Sequence, residues 1–293
     1  KPCRSPIDLK NSGTSMRLLT AVAALGSGSY VLTGSPRMQE RPVRDLLDAL
    51  QRIHVPVRSL NGNGCPPVII QGGRLSGGST EIDCRVSSQY LSALLLIAPY
   101  TKNGLEIRVT GGPVSRPYID MTIEIMNRFG VEVHREGYTR FRVPGARLYH
   151  AGTYPVEADG SQAGYFWAAG AVTGARVKVM GLTGASCQGD VGFAKVLEKM
   201  GCRVAWEKDG ISVSGGALSA VQVDMSDMPD MVPTLAVVAA FARGVTVIEN
   251  VAHLREKESD RLGSVAAELS AMGISATCSD TGLVIEGGEP VGA

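Results

Sequence analysis

The sequence predicts an α/β chain built from four copies of one unit of about 70 residues. Three observations predict it. Short β-type runs close at positions 34, 111, 181 and 250, two of them in Thr-Gly. Each is followed by a segment with one apolar face at helical spacing, and each is preceded by a helix-length segment that is apolar nearly all round. No such unit can bury both faces alone, so the copies must pack on one another.

The elements follow in order within each copy. The strands are 30–34, 105–111, 177–181 and 245–250, and the amphipathic helices after them are 43–53, 119–129, 191–200 and 264–272. In the second of these helices Ile119, Ile123, Met126 and Phe129 recur at intervals of three and four. Three of the helices run into a glycine, Gly130, Gly201 and Gly273, the residue that best tolerates the left-handed position after a helix. His54 stands there in the first copy. A short strand is expected after each, as in 131–133 and 202–205. The apolar helices have bodies 18–25, 91–98, 166–172 and 235–241, which should be buried, giving each copy two helices and about four strands. Their starts, 11–14, 87–89, 159–162 and 227–230, are rich in Ser, Thr, Asn and Asp. Such starts suit plain N-capping, and they equally suit an anion held by bare helix N–H groups.

Composition narrows the function. The chain has 293 residues, 44% of them hydrophobic, and 29 basic against 28 acidic side chains. That excludes a disordered chain and argues against a general nucleic-acid binder. Glycine is in excess, with 36 copies and no collagen period. Apolar runs are too short to span a membrane, and the opening residues read as neither a signal nor a transit peptide. Cys3, Cys65, Cys84, Cys187, Cys202 and Cys278 are scattered, as reduced thiols of a cytoplasmic protein would be, with no metal spacing. Basic residues nevertheless cluster. Arg17 lies one turn into the first apolar helix; Arg37, Arg41 and Arg44 open the next; Lys257 and Arg261 stand four apart in a charged run. Like charges at that spacing are unfavourable on a helix unless an anion lies with them. Small anions with phosphate or carboxylate groups suit arginine's fork.

Six segments together carry a family resemblance. They are Asn11–Arg17, Thr33-Gly34-Ser35-Pro36-Arg37-Met38-Gln39-Glu40-Arg41-Pro42, Ser87-Ser88-Gln89-Tyr90-Leu91, Ser115-Arg116-Pro117-Tyr118-Ile119-Asp120, Met228-Pro229-Asp230 and Arg255-Glu256-Lys257-Glu258-Ser259-Asp260-Arg261. Each is weak alone; in this order they are specific. Over nearly its whole length the chain resembles the EPSP synthase (3-phosphoshikimate 1-carboxyvinyltransferase) family of enolpyruvyl transferases.

The resemblance implies an α/β (α+β) fold of βαβαββ units, three in each of two inverse α/β-barrel-like domains with the active site in the cleft between them. About four of the six units are present, divided into domains 1–157 and 158–293, with the boundary near 156–159 beside Pro155. It implies transfer of enolpyruvyl from phosphoenolpyruvate to the 5-hydroxyl of shikimate 3-phosphate, in the pathway to chorismate and the aromatic amino acids. No cofactor and no metal are expected, the partners are these two small molecules, and the protein is expected to be a cytoplasmic monomer. Carried over by position, Ser87, Ser88 and Ser115 would hold the shikimate phosphate, with Tyr118, His253, Asp230 and Lys257 about the same substrate. Gln89 would lie between the substrates. Gly13, Arg37 and Arg261 would meet phosphoenolpyruvate, with Asn11 and Thr14 lining the wall. Asp230 would be the base for the hydroxyl, and Glu258 the acid that protonates the methylene carbon, beside Lys257.

The chain departs from the family pattern. An early Lys-Ser pair and a late Gly-Asp-His-Arg segment with a following lysine are not found, so the chain reads as the middle of the enzyme and is expected to turn over weakly or not at all. Lys10 stands where the family has glycine, and Asp159-Gly160-Ser161-Gln162 replaces a run of alanine and serine. Two rival readings are a UDP-N-acetylglucosamine enolpyruvyl transferase, whose acid is a loop cysteine for which Cys65 is nearest, and a binding-only fragment.

Overall fold

The fold is taken from a computed structural model, which describes residues 5–292. Cys3 and the opening Lys1 lie outside the described residues. The chain divides into two compact units. The first runs to Thr153 and also includes Glu256–Glu258; the second holds Tyr154–Arg255 and the residues from Ser259 on.

The first unit contains two copies of one motif. The first copy is β1 (Ile7–Asp8), α1 (Gly13–Ala23), β2 (Gly28–Thr33), α2 (Arg44–Arg52), β3 (Val57–Ser59) and β4 (Val68–Gly72). The second is β5 (Gly78–Asp83), α3 (Gln89–Ile97), β6 (Leu105–Gly111), α4 (Arg116–Arg128), β7 (His134–Glu136) and β8 (Arg140–Val143). Their sheets have matching orders, β1-β2-β4-β3 and β5-β6-β8-β7, with only the first pair of each parallel. The helix between the first two strands is what a parallel connection requires.

The second unit contains the other two. One is α5 (Gly160–Thr173), β9 (Arg176–Met180), α6 (Phe193–Lys199), β10 (Arg203–Trp206) and β11 (Gly210–Ser214). The other is β12 (Gln222–Asp224), α7 (Val232–Ala240), β13 (Val245–Glu249), α8 (Arg261–Ala271), β14 (Ser275–Cys278) and β15 (Leu283–Glu286), in the order β12-β13-β15-β14. The third copy has only three strands, in the order β10-β11-β9. The expectation of about four strands fails there because the segment before α5 forms no strand beside β9.

All four amphipathic helices close in one way. The second residue past the last helical one takes a positive φ: 64° at His54, 83° at Gly130, 105° at Gly201 and 78° at Gly273. The next amide then reaches back five residues, from Val55 to Leu50, Val131 to Met126, Cys202 to Leu197 and Ile274 to Leu269. This is a Schellman closure. The four returning residues are buried against the core. That closure corrects the expected strand at 131–133: Val131 serves the cap, and pairing begins only at His134.

Each unit has its own core. In the first, α3 is buried along nearly its whole length. The apolar helices are not all buried, however. Tyr165 and Phe166 on α5, and Val237 and Phe241 at α7, are exposed. So are Leu19 and Val22 on α1. Capping is also narrower than the polar starts suggested. Ser12 caps α1 and Asp159 caps α5, while α3 and α7 have no side-chain cap. Finally, Lys257 and Arg261 do not share a helix, since α8 begins at Arg261 behind its cap Asp260. Their spacing therefore puts no like charges on one helix face. Among the described residues no helix is long and apolar enough to cross a membrane.

Candidate active site

In the first unit the start of α1 sets the geometry. Gly13 is the first residue of α1, and a Cβ placed on it would lie 2.5 Å from Arg41 Nη2 and 2.7 Å from Arg17 Nη1. Two guanidinium groups thus converge on a helix N-terminus, in space that any side chain at position 13 would fill. Arg17 is 4% exposed and Arg41 is 2% exposed. Burial and the charge of Arg17 both pull the Arg41 guanidinium below its ordinary value. The Arg17 guanidinium carbon also lies 5.5 Å from the centre of the Tyr90 ring. Burial pushes the Tyr90 phenol up to about 12.

Thr14 and Gln89 join this group. Arg17 Nη1 donates to Gln89 Oε1 at 2.9 Å, and Gln89 Nε2 donates to Thr14 Oγ1 at 2.8 Å. The acceptor end of Gln89 is fixed by the cation, so its amide group faces Thr14. Two polar atoms here are buried without a hydrogen-bond partner, Arg17 Nε and Asn11 Oδ1. A buried donor on a cation without a partner suits an incoming anion.

Lys257 and Glu258 come into the same group because residues 256–258 belong to the first unit. Glu258 Oε1 lies 3.1 Å from Arg41 Nη1. Arg37 donates from Nε and Nη2 to the Lys257 carbonyl at 3.2 and 3.1 Å, and pairs through Nη1 with Glu40. Ser87 and Ser88 are buried at the start of α3, where Ser87 Oγ accepts from the Gln89 amide. Ser115 is buried at the start of α4 with φ 54°, and its hydroxyl makes no cap bond. Tyr118 lies one turn in, on the same helix.

The second unit holds the remaining three. Asp230 sits in the 3₁₀ turn before α7, and its Oδ1 accepts from Arg261 Nη1 at 2.6 Å. Arg261 is the first residue of α8. His253 is buried in the 3₁₀ turn Ala252–Glu256. Among the described residues no cluster of His, Cys, Asp and Glu is placed to hold a metal ion.

Sequence reasoning grouped Arg17 and Arg41 with the basic clusters but did not place them at the site. The signal was present: Arg17 stands one turn after Gly13, and Arg41 one turn after Arg37. The rival acid Cys65 has the opposite character to a reactive thiol. Its Sγ donates to the Glu40 carbonyl at 3.3 Å, and burial pushes it up rather than down.

Similarity to known proteins fits this arrangement. The family model for EPSP synthase (3-phosphoshikimate 1-carboxyvinyltransferase) matches residues 1–292. The chain belongs to the EPSP synthase family. A 3-phosphoshikimate 1-carboxyvinyltransferase of Sulfurovum sp. is 48% identical over 273 residues, which is 92% of this chain and 64% of that protein. One from Enterobacter sp. is 48% identical over 90% of this chain and 62% of its own length. The chain thus spans just under two thirds of these EPSP synthase relatives. A solved EPSP synthase from Acinetobacter baumannii superimposes with a TM-score of 0.76 at 27% identity, covering 99% of this chain and 66% of that one.

Proposed function

We propose that the chain carries the chemistry of a 3-phosphoshikimate 1-carboxyvinyltransferase, moving enolpyruvyl from phosphoenolpyruvate to the 5-hydroxyl of shikimate 3-phosphate with release of phosphate. The convergence of Arg17 and Arg41 on the side-chain-free start of α1 carries this reading. A multiply charged small anion needs several preorganised donors in a water-poor site.

Phosphoenolpyruvate meets Gly13, Arg37 and Arg261, with Asn11, Thr14 and Gln89 about it. Shikimate 3-phosphate meets Ser87, Ser88 and Ser115 through its phosphate, and Gln89, Tyr118, His253 and Lys257 elsewhere. Glu258 delivers a proton to the methylene carbon of the enol, which leaves a cation-like carbon at C2. Asp230 takes the proton of the 5-hydroxyl as its oxygen attacks that carbon. The resulting tetrahedral adduct then loses a proton from its methyl group and expels phosphate, restoring the double bond. Two carboxyl groups are needed because one must arrive protonated and the other ionised. The partners are these two small anions, and the working form is a cytoplasmic monomer without nucleic acid.

Titration calorimetry tests the reading. The chain should bind shikimate 3-phosphate and phosphoenolpyruvate, and Ser88→Ala should weaken the first at least tenfold without affecting the second. Absence of heat with either substrate at millimolar concentration would sink it. A phosphate-release assay with both substrates measures the turnover of the chain directly.

A further inference from the structure

Residues 256–258 are gripped at every carbonyl. The Glu256 carbonyl accepts from Arg41 Nε at 3.3 Å, that of Lys257 from Arg37 Nε and Nη2, and that of Glu258 from Asn11 Nδ2 at 3.5 Å. Exposed loop carbonyls ordinarily turn to water. Here three consecutive ones are held by side chains, and one of the holders, Arg41, also borders the Gly13 turn.

Arg41 does most of this. Its Nε holds Glu256, its Nη1 reaches both the Glu258 carboxylate and the Asn11 carbonyl, and its Nη2 faces Gly13. The guanidinium is nearly fully buried, whereas the side chain of Glu258 is 41% exposed. A planar fork with donors committed on three sides has one orientation. A half-exposed carboxylate has many, unless a partner selects one. The direction of control therefore runs from Arg41 to Glu258.

We propose that Arg41 is a positioning residue: it fixes the Lys257–Glu258 pair beside the Gly13 turn and so sets where the acid stands when the donor anion occupies that turn. The proposal rests on the reading of Glu258 as the acid. Besides facing the Gly13 turn through Nη2, Arg41 acts on the acid through its remaining donors, and that second role is the positioning one. A lysine in its place keeps one charge and one contact but cannot hold Glu256, Glu258 and Asn11 together.

Limited trypsin digestion of the full chain tests it, because the Lys257 carbonyl belongs to a bond that trypsin cuts. Arg41→Met should speed cleavage after Lys257 at least tenfold, with cleavage at Arg52, Arg58 and Arg85 within twofold of the wild type. Arg41→Lys should fall between, a partial rescue that loss of general stability would not give. Should Arg41→Met not fold, Arg41→Lys carries the comparison, expected to speed cleavage after Lys257 about threefold while the other sites stay within twofold. Unchanged cleavage after Lys257 in the folded variants overturns the proposal, and so does equal acceleration at all sites. The digestion contains no substrate. Failure of phosphoenolpyruvate binding in calorimetry would strike the function reading alone, while failure of the cleavage pattern would strike the clamp alone.

Discussion

At the scale of single residues, backbone conformation separates His54 from its three counterparts. It takes a φ of 64° where the other copies have glycine. A residue with a Cβ loses about 1–2 kcal/mol there relative to the right-handed region. The His54 side chain is exposed, so its removal sacrifices little packing. His54→Gly should therefore raise stability by about 1 kcal/mol, offset in part by the greater freedom of glycine when unfolded. Chemical denaturation measures it, and a lower midpoint for the variant would contradict the cap geometry. Gly13 is constrained in the opposite sense. Gly13→Ala puts a carbon where two guanidinium groups already stand. The fold should survive, as seen by circular dichroism, while phosphoenolpyruvate affinity falls about tenfold or more, because the arginines must swing away from the helix start. The need for glycine at 13 was legible as a family pattern. Its cause was not, since nothing in the spacing shows that Arg17 and Arg41 turn inward and meet.

At the scale of elements, charge organises the exposed faces of two sheets. Across β5, β6, β8 and β7 the register aligns Glu81, Arg108, Arg140 and Glu136 in one row. Arg108 and Arg140 are direct neighbours of like charge, which is destabilising unless flanked. Glu81 pairs with Arg108, and Glu136 with Arg140. From the adjacent row Glu106 reaches Arg142 at 3.0 Å and Arg140 at 3.9 Å. Glu106→Gln should cost about 0.5–1 kcal/mol at low salt and far less in 1 M salt, where screening is short-ranged. Equal cost at both ionic strengths would exclude the charge ladder as the cause. In the β9, β10 and β11 sheet the hydrogen bond from Lys178, then that of Ser212, draw the Glu207 carboxyl down from 4.5 to about 2. The folded value lies below the unfolded one, so the contribution is present above about pH 4.5 and lost as pH falls toward 2. The stability advantage of the wild type over Glu207→Gln should be constant from pH 7 to 5 and vanish by about pH 2, as followed by urea midpoints. Helices and their glycine ends were legible because both follow local rules. The absence of a strand before α5 was not, because a strand exists only where a neighbour pairs with it, and periodicity does not report neighbours.

At the scale of the whole chain, near-neutral net charge coexists with two local concentrations, guanidinium groups at the Gly13 turn and the paired rows on the sheet. Composition averages such features away, and it is the order of the motifs that reports the site. Composition also misses the unburied part of the apolar helices. In the second unit α5 packs on α7, and the outer face of each carries aromatic and aliphatic side chains. Phe166 is 59% exposed and Phe241 is 42% exposed. Side chains so exposed contribute only a fraction of the roughly 1.5–3 kcal/mol of full burial, yet exposed apolar surface favours association. Replacing both with serine should therefore leave the melting temperature within about 3 °C of the wild type while reducing binding of a hydrophobic dye and concentration-dependent light scattering. A fall in melting temperature of 8 °C or more would mean that these rings are core residues after all. Unchanged dye binding would place the exposed apolar surface elsewhere, with Leu19 and Val22 on α1 as the next positions to replace.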